Sequence, residues 1–278
     1  MKIINLVEDT AGDNCCLHEH GLSFYVETEN HRLLVDSGAT DMFLHNAQVL
    51  GVDLAQVDIL VLSHGHYDHA GGLLPFAAIN PNAEIYMKAS AGEDYYHLSA
   101  QGERYIGIDK EILKLPQIVM VQEDRRIDDE LFLFSNITGQ RYPARGNLEL
   151  KQKIGDNYTQ DTFGHEQCLV ITQDEHRILM SGCAHNGILN ILDRYYEIFG
   201  TFPDAVISGF HMMKKGDYTE EEIDNMKQTA YELLKTKALF YTGHCTGQKA
   251  FDIMKEIMGE QLQSFHSGSQ LIFPWMTL

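Results

Sequence analysis

The chain has 278 residues, with 21 basic and 40 acidic side chains and a formal charge of −19. Its composition, 44% hydrophobic and 22% charged, is that of a folded chain and excludes global disorder. A negative field of this size repels phosphate backbones and sets broad nucleic-acid binding aside. No apolar run approaches the roughly 18 residues that a membrane helix needs. The start, Met1-Lys2-Ile3-Ile4-Asn5, lacks the apolar stretch of a secretory signal, so a cytoplasmic protein without a membrane partner is expected.

In chain order, Leu22 to Glu27 and Arg32 to Val35 read as paired strands, and Asp41 to Leu50 as a helix. Asp58 to Ser63 is a buried strand, and Glu84 to Lys88 another. Val119–Gln122 and Leu131–Ser135 are strands on either side of a charged turn, and 167–172 with 177–181 form a hairpin. The last third alternates: helix 188–199, strand 205–208, helix 219–235, strand 238–242, helix 248–258 and strand 270–273. The pattern Thr219-Glu220-Glu221-Glu222 is a capping box that opens the second of these helices. Strands in hairpins that later alternate with helices, in both halves, predict a two-sheet core with helices outside. Residues 89–160 are the least regular stretch and are expected to be an insertion over one edge of a single domain spanning 1–278.

Five cysteines, with Cys15 and Cys16 adjacent, make a poor disulfide framework. Cys168 lies in an apolar strand and reads as a small core residue, whereas Cys183 and Cys245 each lie within two residues of a histidine. Many of the 14 histidines sit in polar, Gly-flanked turns, which points to metal.

The sharpest signal is Ser63-His64-Gly65-His66-Tyr67-Asp68-His69-Ala70-Gly71-Gly72, directly after the strand at 58–62. Residues two apart in an extended segment project to the same side, so His64 and His66 can reach one ion. Asp68 and His69, from the turn entering the next helix, can reach a second ion beside it. The three glycines are expected to let the backbone turn tightly. Imidazole and carboxylate suit zinc, and also iron or manganese.

This segment resembles the His-x-His-x-Asp-His signature of the metallo-β-lactamase superfamily. The resemblance implies a four-layer αβ/βα sandwich with two divalent ions at one end of the two sheets. Glu19-His20-Gly21-Leu22-Ser23, Ser181 to Gly187, Gly209-Phe210-His211 and Tyr241 to Gly247 are similar to the group of dihydropterin-ribofuranosylaminobenzene-phosphate synthase-like hydrolases. The superfamily pattern implies His165 as the third ligand of the first ion and His244 as the last ligand of the second. It places a bridging aspartate where this chain has Cys183, which leaves Cys183 or His185 as the ligand there. Asp36 occupies the position of a carboxylate that supports a ligand histidine. His20 and His211 are expected to contact substrate; His18, His31, His45, His176 and His266 are expected to be solvated.

The expected function is a metal-dependent hydrolase acting on a small anionic molecule such as an ester, lactone or phosphoester, with Asp68 catalytic. The alternative is a synthase-like activity of the narrower group. A nuclease of the superfamily fits poorly with a charge of −19, and Gly-x-Ser-x-Gly is absent. A redox di-iron protein would carry glutamate at His66, and a non-enzymatic binding protein would not keep the whole ligand set. A homo-oligomer is compatible with the sequence.

Overall fold

The computed structural model describes residues 1–12, 15–273 and 275. The chain begins with β1 (Lys2–Val7), β2 (Ser23–Glu27), β3 (Arg32–Val35), α1 (Met42–Val49) and β4 (Ile59–Val61). The one-turn α2 (Tyr67–Ala70), α3 (Leu73–Ile79) and β5 (Glu84–Lys88) follow. The middle of the chain holds β6 (Asp94–Ser99), β7 (Gly102–Tyr105), β8 (Ile118–Val121), β9 (Arg125–Arg126), β10 (Leu131–Phe134), β11 (Leu150–Ile154) and β12 (Asn157–Gln160). The last part runs β13 (Cys168–Gln173), β14 (His176–Met180), α4 (Ile188–Phe199), β15 (Ala205–Ile207), α5 (Glu220–Thr236), β16 (Leu239–Thr242), α6 (Gln248–Met258), β17 (Leu262–Ser264) and β18 (Gln270–Leu271).

One seven-stranded sheet has the order β18-β1-β2-β3-β4-β5-β8, and a second the order β17-β16-β15-β14-β13-β10-β9. Each is antiparallel where hairpins connect it and parallel where helices do. The period of two along each strand decides the layers. Phe24, Val26, Leu33, Val35, Ile59 and Val61 face Leu169, Ile171, Ile178, Met180, Ala205 and Ile207 between the sheets. The intervening Tyr25, Leu34 and Leu60 pack outward on Phe43 of α1 and Phe76 of α3. Leu179, Val206 and Phe240 pack outward on Ile191, Tyr195, Leu233 and Met254 of α4, α5 and α6. Helices, sheet, sheet and helices make the four layers of the metallo-β-lactamase fold. Both faces of the central strands are covered, which is why they read as unbroken apolar runs.

The expected strands on either side of the charged turn belong to different sheets: β8 joins the first through β5, and β10 joins the second through β13. The irregular stretch contains a third sheet, β12-β11-β6-β7. Tyr95, Ile106, Leu150 and Phe163 form a small core beneath it, against Tyr67 of the histidine-rich segment. No helix among the described residues is long and apolar enough to cross a membrane.

Candidate metal centre

The histidine-rich segment leaves the C-terminal end of β4, and the ends of β1, β3, β14, β15 and β16 deliver residues to the same place. His66 is extended (φ −106°, ψ 150°) and α2 starts immediately after it, so Asp68 and His69 lie on the first turn of that helix. His64, His66, Asp68 and His69 are all buried. Gly71 and Gly72 turn the chain as expected, at φ −62° and −83°, dihedrals that any residue adopts. They are needed for close approach: a Cβ would lie 2.0 Å from the Ala39 carbonyl oxygen at Gly71, and 2.2 Å from that of Ser37 at Gly72.

Asp36, at the end of β3, organises the segment from below. Its Oδ1 accepts from the Ser63 backbone N–H at 2.7 Å, and its Oδ2 accepts from Ser63 Oγ at 2.7 Å. Asp36 Oδ2 also lies 2.6 Å from His69 Nδ1, so His69 turns Nε2 to the interior, 3.2 Å from Cys183 Sγ. His244 is held in the same way: Nδ1 lies 2.5 Å from Asp9 Oδ1, and Nε2 lies 3.4 Å from Asp68 Oδ2. His185 Nδ1 lies 3.2 Å from Asn147 Oδ1, while Asn147 Nδ2 donates to the His185 carbonyl at 2.7 Å.

The result is a convergence of donor atoms without partners. Nε2 of His64, His66, His185 and His244 is buried in each case and has no hydrogen bond among the described residues. An unpaired buried nitrogen is costly, and four at one end of the sheets match a metal-binding set. Ligand atoms of Asp68, His69, Cys183 and His244 lie within 4.8 Å of one another, as do those of His64, Cys183 and His185. Thiolate, imidazole and carboxylate fit a divalent transition metal, zinc foremost.

The electrostatics agree. Burial, and then the neighbouring histidines, push His64 and His185 well below the usual imidazole range; burial, with His165, brings His66 to about 3. These rings are neutral at physiological pH, with lone pairs free for a cation. Burial opposes ionisation of Asp68, but His69 and the His244 ring beside it outweigh that and hold the carboxyl far below its usual range.

His165, expected beside His64 and His66, lies near both, with ring centroids 5.9 Å and 5.1 Å away. His165 Nδ1 accepts the Gly65 backbone N–H at 3.0 Å, and its Nε2 lies 3.1 Å from Asp161 Oδ2. Both nitrogens are thus engaged, and His165 groups with His66 and Asp161 instead of with His64 and Cys183. His185 stands in that corner. His20 is half-exposed at the mouth, its Nδ1 2.8 Å from Asp9 Oδ2 and its Nε2 3.5 Å from Asp68 Oδ2. The His211 ring is 4.1 Å from that of His185 and lines a cavity of about 690 Å³, counting its open mouth. Met212, Met213 and Tyr142 line it too, as do Arg145 and Lys214. Of the expected solvated histidines, His31 is instead clamped between Asp58 and Asp128, and the His176 ring stacks on Trp275.

Sequence reasoning missed Asp9, Asn147, Asp161 and Glu166. Glu166 is buried and accepts the backbone N–H groups of His185 and Asn186. A signal existed only for Asp9, which follows the apolar run Ile3 to Val7.

Residues 18–221 match the model of the metallo-β-lactamase superfamily. The chain is 30% identical to the 7,8-dihydropterin-6-methyl-4-(β-D-ribofuranosyl)-aminobenzene-5′-phosphate synthase of Methanocaldococcus jannaschii, over 98% of this chain and 97% of that protein. The solved structure of Tm1679, described as a metal-dependent hydrolase of the β-lactamase superfamily, is 31% identical, with a TM-score of 0.80 over 98% of this chain and 99% of that one. Zn²⁺-bound PqqB from Methylobacterium extorquens shares the fold at 14% identity, with a TM-score of 0.57 over 98% of this chain and 100% of that chain.

Proposed function

The chain belongs to the metallo-β-lactamase superfamily, and from that premise we propose that it is a hydrolase dependent on two divalent cations, acting on a small anionic ester, lactone or phosphoester. The observation that carries this reading is the gathering of four unpartnered Nε2 atoms at one end of the sheets, with His64 and His185 beside Cys183, His244 beside Asp68, and the His66 ring 4.6 Å from that of His64. His64, His66 and His185 would hold one cation, and Asp68, His69 and His244 the other, with Cys183 between them. Zinc suits this set, because thiolate and imidazole are both good zinc ligands.

Bound there, two cations supply a water-derived nucleophile at neutral pH and polarise the substrate oxygen. The protein does the rest. Asp68, ionised and held by His69 and His244, orients the attacking water through its free lone pairs. Asp9 fixes the His20 ring, leaving Nε2 at the mouth to hydrogen-bond the substrate. His211 and the cavity beyond it take the body of the substrate, where Arg145 and Lys214, paired with Glu221 and Glu222 in the free protein, would exchange those partners for an anionic group. The overall charge of −19 supports a small molecule over a nucleic acid.

A synthase-like reaction is the second reading, favoured by 30% identity over nearly the whole chain to the synthase named above. One assay series separates the two. Metal-depleted protein should lose phosphodiesterase or lactonase activity and regain it with Zn²⁺. A metal-loaded protein that turns over neither substrate class, yet condenses a dihydropterin precursor, would replace the hydrolase reading with the synthase one.

A further inference from the structure

Two further donor side chains meet Cys183 from another side: one that this function leaves unused, and one to which it gives only a place in the cavity wall. Cys245 follows His244 in the turn after β16, and His211 ends the segment after β15. The sulfurs of Cys183 and Cys245 and a ring nitrogen of His211 lie within 4.8 Å of one another. Both thiols are buried and free. His211 Nδ1 is buried and has no hydrogen-bond partner among the described residues. Cys245 Sγ accepts the backbone N–H of His211 at 3.3 Å and lies 3.6 Å from the Cys183 carbonyl oxygen.

The backbone is shaped around this trio. A Cβ at Gly209 would stand 2.4 Å from Cys245 Sγ, so only glycine leaves room for the sulfur. His211 has φ +48°, a left-handed conformation that is unfavourable for a residue with a β-carbon. Such conformations persist where the surrounding structure imposes them, often at functional sites. Here the strained residue carries an unpartnered donor. Two sulfurs and one imidazole are a Cys₂His set, which binds zinc with a fourth position left open.

We propose that Cys183, Cys245 and His211 form a further metal position, for a thiophilic cation such as Zn²⁺ or Cd²⁺, which adjoins the hydrolytic centre and shares Cys183 Sγ with it. His211 also lines the cavity, so the open coordination position faces the space assigned to substrate. The shared sulfur, the neighbouring substrate space and the count of three rest on the hydrolytic reading; the Cys₂His set itself does not.

The probe is Cd²⁺ alone, added to reduced, metal-free protein under anaerobic conditions. Bound metal is counted, and the sulfur-to-cadmium charge-transfer absorbance is followed. The wild-type chain should bind three equivalents. Cys245→Ser should bind two and lose the absorbance due to the second thiolate; His211→Ala should weaken only the third equivalent. His211 is part-exposed, so its variant carries the test if Cys245→Ser does not fold. Failure of the hydrolytic reading would look different: one equivalent bound, with a two-thiolate signal that Cys245→Ser halves. Two findings each overturn the proposal. One is that both variants keep the wild-type stoichiometry and absorbance. The other is that the wild type binds no equivalent whose signal depends on Cys245.

Discussion

Asp36 Oδ2 lies 2.6 Å from His69 Nδ1, and the same carboxylate accepts both hydrogen bonds that Ser63 donates. One buried acid at the end of β3 therefore sets the tautomer of one ligand and the path of the segment that carries the others. Asp36→Asn keeps the shape and tolerates the positive φ of 57° found there. It should weaken metal binding by about 10–100-fold while leaving the fold intact. Chelator competition measures this; unchanged affinity would show that the contact is merely structural.

His185 and His165 give opposite expectations. His185→Ala removes an unpartnered Nε2 beside His64 and Cys183, so it should cost one metal equivalent. His165→Ala removes a ring that accepts the Gly65 N–H and pairs with Asp161. It should keep both equivalents, bound more loosely. Metal content by elemental analysis decides between them. Loss of an equivalent in His165→Ala alone would restore the arrangement expected from the sequence.

The sequence resemblance implies a bridging aspartate at the position of Cys183. Cys183→Asp should retain two metals, and Cys183→Ala should lower the occupancy of at least one. Burial pushes the free thiol up, so it is a poor nucleophile without a cation. Alkylation of Cys183 should still be slower in loaded than in metal-free protein, because coordination occupies the sulfur. Equal rates in the two states, with full metal content in Cys183→Ala, would remove Cys183 from the centre.

His31 offers a pH-dependent contribution to stability far from the metals. Burial disfavours its charged form, but Asp58 at 2.5 Å and Asp128 at 2.6 Å raise its pKa above 6.5 overall. A raised histidine stabilises the fold fully below its unfolded value and loses that contribution as pH climbs through the folded value. The carboxylates are partly exposed, so the effect should be about 0.5–1 kcal/mol. Denaturant unfolding should show His31→Gln destabilised at about pH 6 and near wild type at about pH 9. A difference that is flat with pH would mean that the pair is not ionic.

The parts legible in the sequence share a physical cause. Central strands such as Ile59–Val61 are apolar on both faces, and His64 to His69 is contiguous, so neither needs tertiary information. The capping box at Thr219 is local and is found as expected. The third sheet was illegible because its strands are polar and carry few buried residues: every residue of Gly102–Tyr105 is solvent-facing, and Asp94–Ser99 buries only Tyr95. Asp9 was illegible as the partner of His244 because the two are 235 residues apart, and Asp161, four residues before His165, because only the folded path of their shared loop brings them together. His165 and His185 both lie in Gly-containing polar turns, and only the hydrogen bonds of the folded chain tell them apart.

The central claim is that two cations sit where the unpartnered nitrogens converge. Anomalous diffraction from crystals of zinc-loaded protein tests it most directly. Two peaks are predicted in this centre, one bonded to His64, His66 and His185, the other to Asp68, His69 and His244, with Cys183 Sγ between them, apart from any third peak at Cys245 and His211. Zinc bound only at other side chains, or no zinc at this end of the sheets, would contradict the account.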